Sequence, residues 1–430
     1  VKVTLDSAKF LQVSKSLAMF SMKRSGTIKR ESNVLDQFLT LLVLKKKEYL
    51  LARHGDITIR KDVHDAIINC DERGYLSVPA EEFYNFIRSM PVKPTFELCY
   101  NPMIYFTNEK ASMALPHPSD SLSCFNIGLP NYVRSYQTSI TINKQHLLRC
   151  LTKLNPDRPT EYDKDREYLN YFYVHYFKNK LRFACHKGGC FVVYDFEGKQ
   201  LCTKVEPKTK PISLLIPVAK IRSIIDIIRC SSGTNVTIAH PKKSHQIIIK
   251  SGDVEILYSS INPDLEYYNL DRWFDATFAY QITSKLDDWV FPTKGIRATN
   301  SLAYMQETPV HGVKIKANLV DGYFNLRPQA CYGAEMLCDS NRHIPFIYNN
   351  YKVPRDATEK TFIFNSEYLS EIVKRGHKSE EVTLYLLDKD EQSPFRVSFT
   401  SQKRGTLTEQ AHMLIPPLPA DAIVGKSKVG

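Results

Sequence analysis

Residues 3–17 read VTLDSAKFLQVSKSL, a short strand-like run that passes into apolar residues recurring every third or fourth position, as expected for a strand feeding an amphipathic helix. The pattern returns at 140–154 (ITINKQHLLRCLTKL) and, more loosely, from Thr277 (TFAYQITSKLDDWV). A second strand-to-helix unit follows in each copy: GYLSVPAEEFYNFIRSM at 74–90, ISLLIPVAKIRSIIDIIRC at 212–230 and KTFIFNSEYLSEIVKRG at 360–376. The copies begin about 137 residues apart, a period long enough for each to bury its own core. The expected organisation is therefore three like domains, at 1–130, 138–270 and 275–420. Linkers fall at 126–138 and 269–276, the stretch 330–356 reads as an insertion, and 421–430 reads as a small, polar, flexible tail.

Between the helical segments lie paired apolar runs: 39–44 with 49–52, 171–177 with 181–184, and 313–317 with 323–326 around Val320, Asp321 and Gly322. Turns this short join antiparallel neighbours, so the expected class is α+β, with helices packed on one face of antiparallel sheets. In the second repeat Leu147, Leu151 and Leu154 share one helix face and His146, Arg149 and Lys153 another. In its partner helix Ile221, Ile224, Ile225 and Ile228 face inward and leave Lys220, Arg222 and Arg229 outside. Lys144 completes a set of six cations on these two helices, opposed by Asp226 alone.

Charge turns that stripe into a functional candidate. The chain of 430 residues carries a formal net charge of +12, which favours a polyanionic partner, nucleic acid first. Repeat one adds Lys9 and Lys15, whereas Glu81, Glu82, Asp287, Asp288, Glu367 and Glu371 dilute the cations of the remaining helices, so the stripe is strongest in the middle repeat. The longest apolar runs, such as FLTLLVL at 38–44, fall well short of the roughly 18 residues that a membrane span needs. No basic start followed by an apolar stretch marks a secretory signal, and the protein is expected to be soluble and intracellular, with no membrane partner. Ten cysteines without a C-x-x-C pair fit free thiols in a reducing compartment. Cys185, His186 and Cys190 (CHKGGC) come nearest to a metal cluster but lack a second Cys/His pair, so neither a metal nor a cofactor is expected. No G-x-x-x-x-G-K-[ST] loop is present, and the acid-rich stretches 163–167 and 388–391 read as turns. The chain is thus expected not to be an enzyme, with a metal-dependent nuclease as the alternative.

Taken in order, these segments resemble the bacterial β sliding clamp, the processivity ring of replicative DNA polymerase. VKVTLDSAKFLQVSKSL and GYLSVPAEEFYNFIRSMP are similar to that family's opening strand-helix and its V-P-A-x-x-F helix. EYLNYFYVHYFKNKLRFACHKGGCFVV resembles its Y-L-N-G hairpin and L-R-x-x-A-T-D-G-H-R-L-A segment, and SSINPDLEYYNL its G-R-F-P-D-Y run. VHGVKIKANLVDGYFNL, FIFNSEYLSEIVKRGHKSEEVTLYL and MLIPPLP match the third repeat and its V-M-P-M-R-L end. The resemblance implies a head-to-tail homodimer of six clamp domains around duplex DNA, with helices lining the hole and sheets forming the wall. It implies sequence-independent DNA binding and, as partners, DNA polymerase, the clamp loader and other proteins carrying clamp-binding peptides. The implied location is the cytoplasm at the nucleoid, or the host cytoplasm for a virus-encoded copy.

By position, the resemblance puts Lys23 and Arg24 on a DNA-facing loop and Arg166 and Tyr168 on a second one. Lys144, Arg149, Lys153, Lys220, Arg222 and Arg229 join them from the helix faces. An apolar peptide-binding groove between repeats two and three would be lined by Leu169, Phe191, Pro263, Tyr268, Asn365, Tyr368, Ile415 and Pro416. Two departures bear on that groove: Lys187, Gly188, Gly189, Cys190 and Phe191 stand where the family has D-G-H-R-L, and Ile415 to Pro419 replace M-P-M-R-L. The strong positive balance also departs from the acidic character expected of the family. A clamp-like polymerase accessory protein that stays monomeric and never closes is the remaining alternative.

Overall fold

Apolar alternation and helical periodicity both materialise in the structure, a computed structural model that describes residues 1–21, 38–45, 47–89, 95–101, 103–108, 111–115, 136–155, 167–177, 179–187, 190–198, 201–206, 212–218, 220–241, 246–259, 270–275, 278, 280–290, 293–294, 311–318, 323–330, 343–348, 359–375, 380–386, 395–400, 402–404 and 407–415. The chain divides into two compact units, one from 1–156, 174–179 and 200–266, the other from 157–173, 180–199 and 267–430.

The first unit contains β1 (Lys2–Asp6), α1 (Ser7–Ser21), β2 (Phe38–Val43), β3 (Glu48–His54), β4 (Ile57–Asp62), β5 (Ile67–Glu72), β6 (Gly74–Pro79), α2 (Ala80–Ser89), β7 (Thr95–Asn101), β8 (Met103–Asn108), β9 (Ala111–Leu115), β10 (Tyr136–Asn143) and α3 (Lys144–Leu154). After β11 (Tyr171–Phe177), which begins in the other unit, it continues with β14 (Cys202–Glu206), β15 (Ile212–Pro217), α4 (Ile221–Arg229), β16 (Asn235–Pro241), β17 (Ile247–Ser251) and β18 (Val254–Tyr258). One antiparallel sheet runs β5-β1-β7-β8-β9 and another β14-β10-β16-β17-β18-β4-β3-β2-β6.

Helix α1 turns Phe10, Leu17 and Phe20 into the core, and Phe10 meets Phe83 of α2 edge to face at 5.8 Å. On its other side α1 packs against α4, and α4 packs against α3, so α2, α1, α4 and α3 form a row. The Asn143 side chain caps α3 by accepting from the Gln145 amide. The apolar stripe read from the sequence is buried: Leu147, Leu151 and Leu154 on α3, and Ile221, Ile224, Ile225 and Ile228 on α4.

The second unit contains β12 (Lys180–Lys187), β13 (Cys190–Glu197), α5 (Asp271–Phe274), β19 (Tyr280–Lys285), β20 (His311–Asn318), β21 (Tyr323–Ala330), β22 (His343–Tyr348), β23 (Glu359–Asn365), α6 (Ser366–Arg375), β24 (Glu381–Leu386), β25 (Phe395–Phe399), β26 (Gln402–Arg404) and β27 (Leu407–Ile415). Its strands follow the order β12-β13-β27-β25-β24-β19-β22-β21-β20-β23, with β26 against β27. The stretch 330–356, read as an insertion, carries β22 at its centre, and the linker at 269–276 carries the short α5.

One kind of joint occurs in both units. In the first, β4 pairs antiparallel with β18, Ile59 opposite Ile256; in the second, β13 pairs antiparallel with β27, Val193 opposite His412. Each joint sets the strand that ends one repeat's hairpin series against the last strand of the next repeat. The chain after α4 turns where Gly233 and Gly252 lie back to back: Gly252 has φ +54°, and a Cβ there would sit 2.3 Å from the Gly233 nitrogen. Gly252→Ala is expected to lower the unfolding free energy by about 3 kcal/mol, combining left-handed strain with a backbone clash, and urea denaturation measures it.

Candidate nucleic-acid interface

The helix row of the first unit presents Lys9 and Lys15 of α1, Arg88 of α2, and Arg222 and Arg229 of α4 to solvent. Arg149 and Lys153 on α3, and Lys220 just before α4, are half-buried. Lys220 itself adopts a left-handed backbone (φ +54°), so it precedes the helix rather than riding on its face. Arg229 donates to Asp226 at 2.8 Å, but both side chains are about half exposed, and such a pair is weak enough to exchange for a phosphate. His146 adds no charge at neutral pH, because burial and then the neighbouring Arg149 push its imidazole below the usual range.

Lys144 has a different employment. Its ammonium donates to the Ser231 carbonyl at 2.7 Å, just beyond the C-terminus of α4, while buried Lys61 donates to the Cys230 carbonyl at 3.4 Å and pairs with Asp253 at 3.5 Å. Asp253 in turn accepts from the Ser232 amide and hydroxyl at 2.7 and 3.1 Å. Two cations at the negative end of a helix dipole fasten α4 to α3 and to β4. Lys144→Met is expected to cost about 1–2 kcal/mol of stability in thermal or urea unfolding, by leaving the part-buried carbonyl without its donor. Of the loop candidates, Lys23, Arg24 and Arg166 lie outside the described residues, and Tyr168 belongs to the 3-10 turn Glu167–Asn170 that precedes β11.

In the second unit the candidate apolar lining is nearly sealed: Leu169, Phe191 and Tyr368 are 7%, 8% and 7% exposed and Ile415 is fully buried. Phe191 lies opposite Leu414 in the β13 and β27 pairing, and its ring meets Tyr173 at 6.1 Å and His186 at 4.9 Å, both edge to face. Asn365 ends β23, directly before α6, which carries Tyr368 in its first turn. Pro263, Tyr268 and Pro416 lie outside the described residues. Cys185 and Cys190 are buried free thiols, and among the described residues no three His, Cys, Asp or Glu side chains converge as a metal site would require.

A cluster that the sequence reading missed lies on the same seam. Arg182 donates through Nε and Nη2 to the Asp195 carboxylate at 2.8 and 3.0 Å and through Nη1 to Asp271 at 2.6 Å, with its guanidinium 3.5 Å from the Phe274 ring centre. Lys180 adds a third contact to Asp195 at 2.9 Å. Burial alone would raise the Asp195 pKa; the adjoining His412 and Arg182 outweigh it and hold the carboxyl far below the usual range. At 3.6 Å the His412 Nε2 is too far from Asp195 for a hydrogen bond, while its Nδ1 meets the Ser398 hydroxyl at 2.7 Å.

No protein-family profile and no curated protein matches the sequence. Solved structures do match in fold. A structure described as a putative DNA polymerase III beta subunit from Eubacterium rectale superposes with a TM-score of 0.68 at 15% identity, covering 97% of this chain and 99% of that one. The DNA polymerase sliding clamp of Caulobacter crescentus gives 0.69 at 15% identity, over 97% and 100%. The DNA polymerase III beta subunit of Thermotoga maritima gives 0.64 at 12% identity, over the same shares. The chain has the fold of the DNA polymerase III beta sliding clamps. Among the described residues, no helix is long and apolar enough to cross a membrane.

Proposed function

We propose that this chain is a DNA sliding clamp, a processivity factor that closes around duplex DNA as a head-to-tail homodimer and tethers the replicative polymerase. The joint that occurs twice, β4 with β18 and β13 with β27, carries the reading. It is directional, so it adds repeats head to tail, and head-to-tail contacts either close into a ring or run on as a filament. One half of such a joint remains over among the described residues: β9, which pairs only with β8, whereas β22, which follows β20 and β21 as β4 follows β2 and β3, is already paired with β21 and β19. A second copy would supply a strand for β9, and two copies of three repeats would make a closed ring of six.

The exposed cations of the helix row and the net charge of +12 support DNA as the threaded partner. Phosphate contacts from mobile lysine and arginine heads position the protein without reading sequence, so the duplex can slide. The role is mechanical rather than enzymatic. Polymerase, clamp loader and other peptide-bearing partners would dock at the lining of Leu169, Phe191, Tyr368 and Ile415, and the compartment would be the cytoplasm.

Retention on nicked circular DNA, lost when the circle is cut, is the expected result; equal retention on linear and circular DNA would contradict encirclement. Replacing Arg222 and Arg229 together by alanine is expected to reduce the slope of log affinity against log salt by about 2 without changing the melting temperature. An unchanged slope would remove these two residues from the interface.

A further inference from the structure

We propose that the turn at 270–275 is a strap fastened over a buried polar cluster of the β13 and β27 seam, and that acid lifts it by protonating His412. Strand register puts Arg182, Asp195, His412, Ser398, Arg396 and Tyr385 on one face of the sheet: Arg182 lies opposite Asp195, Val193 opposite His412, Ser398 opposite His412, and Tyr385 opposite Arg396. A polar sheet face is ordinarily wet. Here Arg182 and His412 are each 4% exposed, and Asp195 and Ser398 3%. The strap supplies cover: Asp271 accepts from Arg182, and the Phe274 ring lies against the Arg182 guanidinium, the Arg396 guanidinium at 5.0 Å and the His412 ring at 5.0 Å. Arg182 is the fastener, bonded below to Asp195 and above to Asp271.

Beneath the strap, His412 has little room for a proton. It touches Asp195 from β13, Ser398 from β25 and Phe274 from the strap, and next to these stand Arg182 and Lys180 from β12, Arg396 from β25, Tyr385 from β24 and Asp271 from the strap. Asp195, the only buried carboxylate among these groups, already accepts from Arg182 twice and pairs with Lys180 at 2.9 Å. A charged imidazole would join Arg182, Arg396 and Lys180 around a carboxylate that is already satisfied, and its Nε2, 3.6 Å from Asp195, has no hydrogen-bond partner in the closed state. Burial is the main force holding the His412 pKa below its usual value; Arg396 and Arg182 add to it and Asp195 opposes it. A group whose pKa is depressed in the closed state binds more protons once released, so falling pH favours the lifted strap from about pH 6.5 downward.

Hydrogen exchange of the full chain tests this, with rates corrected for the intrinsic effect of pH. Protection of the 270–275 amides is expected to fall between about pH 7.5 and about pH 5.5, while β20 and β23 keep theirs. His412→Gln should abolish the pH response, and Asp271→Asn should lower strap protection at both pH values and leave the response in place. Protection that holds or rises in acid, a full response retained in His412→Gln, or equal loss in every strand would overturn the proposal.

Discussion

Replacing Arg182 with methionine is expected to lower the unfolding free energy by about 3–5 kcal/mol, because it strands a buried carboxylate. Asp195 is 3% exposed and receives two of its contacts from the Arg182 fork; what remains is Lys180, a third exposed and free to be hydrated, and the His412 ring at 3.6 Å. Asp271 loses the same donor, and Phe274 loses the plane on which it stacks. Combining Arg182→Met with Asp195→Leu should cost less than Arg182→Met alone, since two apolar side chains can fill a site that one unpaired charge cannot tolerate. Arg229→Met is the surface control: its pair with Asp226 is half exposed, and the change should stay within about 0.5 kcal/mol. Urea midpoints of the four proteins decide the matter. An Arg182→Met cost no larger than that of Arg229→Met would show that Asp195 is solvated without its arginine. The sign with pH is also fixed. With its pKa depressed by folding, Asp195 contributes fully at neutral pH and loses that contribution only in acid below the ordinary carboxylate range.

Local patterning made most of the elements legible and most of the site illegible. The change from alternation to helical spacing at Asn143 is present in ITINKQHLLRCLTKL, and β10 gives way to α3 there, ending at Leu154. The α+β class with antiparallel sheets follows from short turns in the same way. Burial of Arg182 could not be read, because the alternation of Leu181, Arg182 and Phe183 describes a wet polar face, and the residues that dry it, Asp271 and Phe274, stand some ninety positions later. Lys144 looked like one more cation on a stripe; its bond to the Ser231 carbonyl depends on where α4 ends relative to α3, which no local pattern encodes. HIPFIY within 330–356 forms β22 although its surroundings read as an insertion, since pairing with β21 and β19 supplies what the flanking sequence does not announce. The groove candidates came from family resemblance alone: Leu169, Phe191, Tyr368 and Ile415 are too far apart in sequence for spacing to join them.

A proline in β9 is expected to convert the protein to a monomer and to bring its retention on circular DNA down to the level on linear DNA. The β8 and β9 register, Thr107 opposite Ser112 and Phe106 opposite Met113, leaves the far side of β9 without a strand among the described residues. Successive amides of a strand point to opposite sides, so of Ser112 and Met113 one amide faces β8 and the other faces the free edge. Proline removes a donor wherever it stands, but only at the outward amide does it spare the existing ladder. One of Ser112→Pro and Met113→Pro should therefore melt near wild type and scatter light as a monomer, whereas the other weakens the β8 and β9 hairpin. Ala114→Pro, in step with Ser112, should fall in the same class as Ser112→Pro, which separates edge chemistry from a general intolerance of proline. The effect on retention is all or nothing, because a ring missing one joint has no topological hold on DNA however many phosphates its helices touch. A folded, monomeric proline variant that still stayed on circles and left when they were cut would mean that closure does not run through β9.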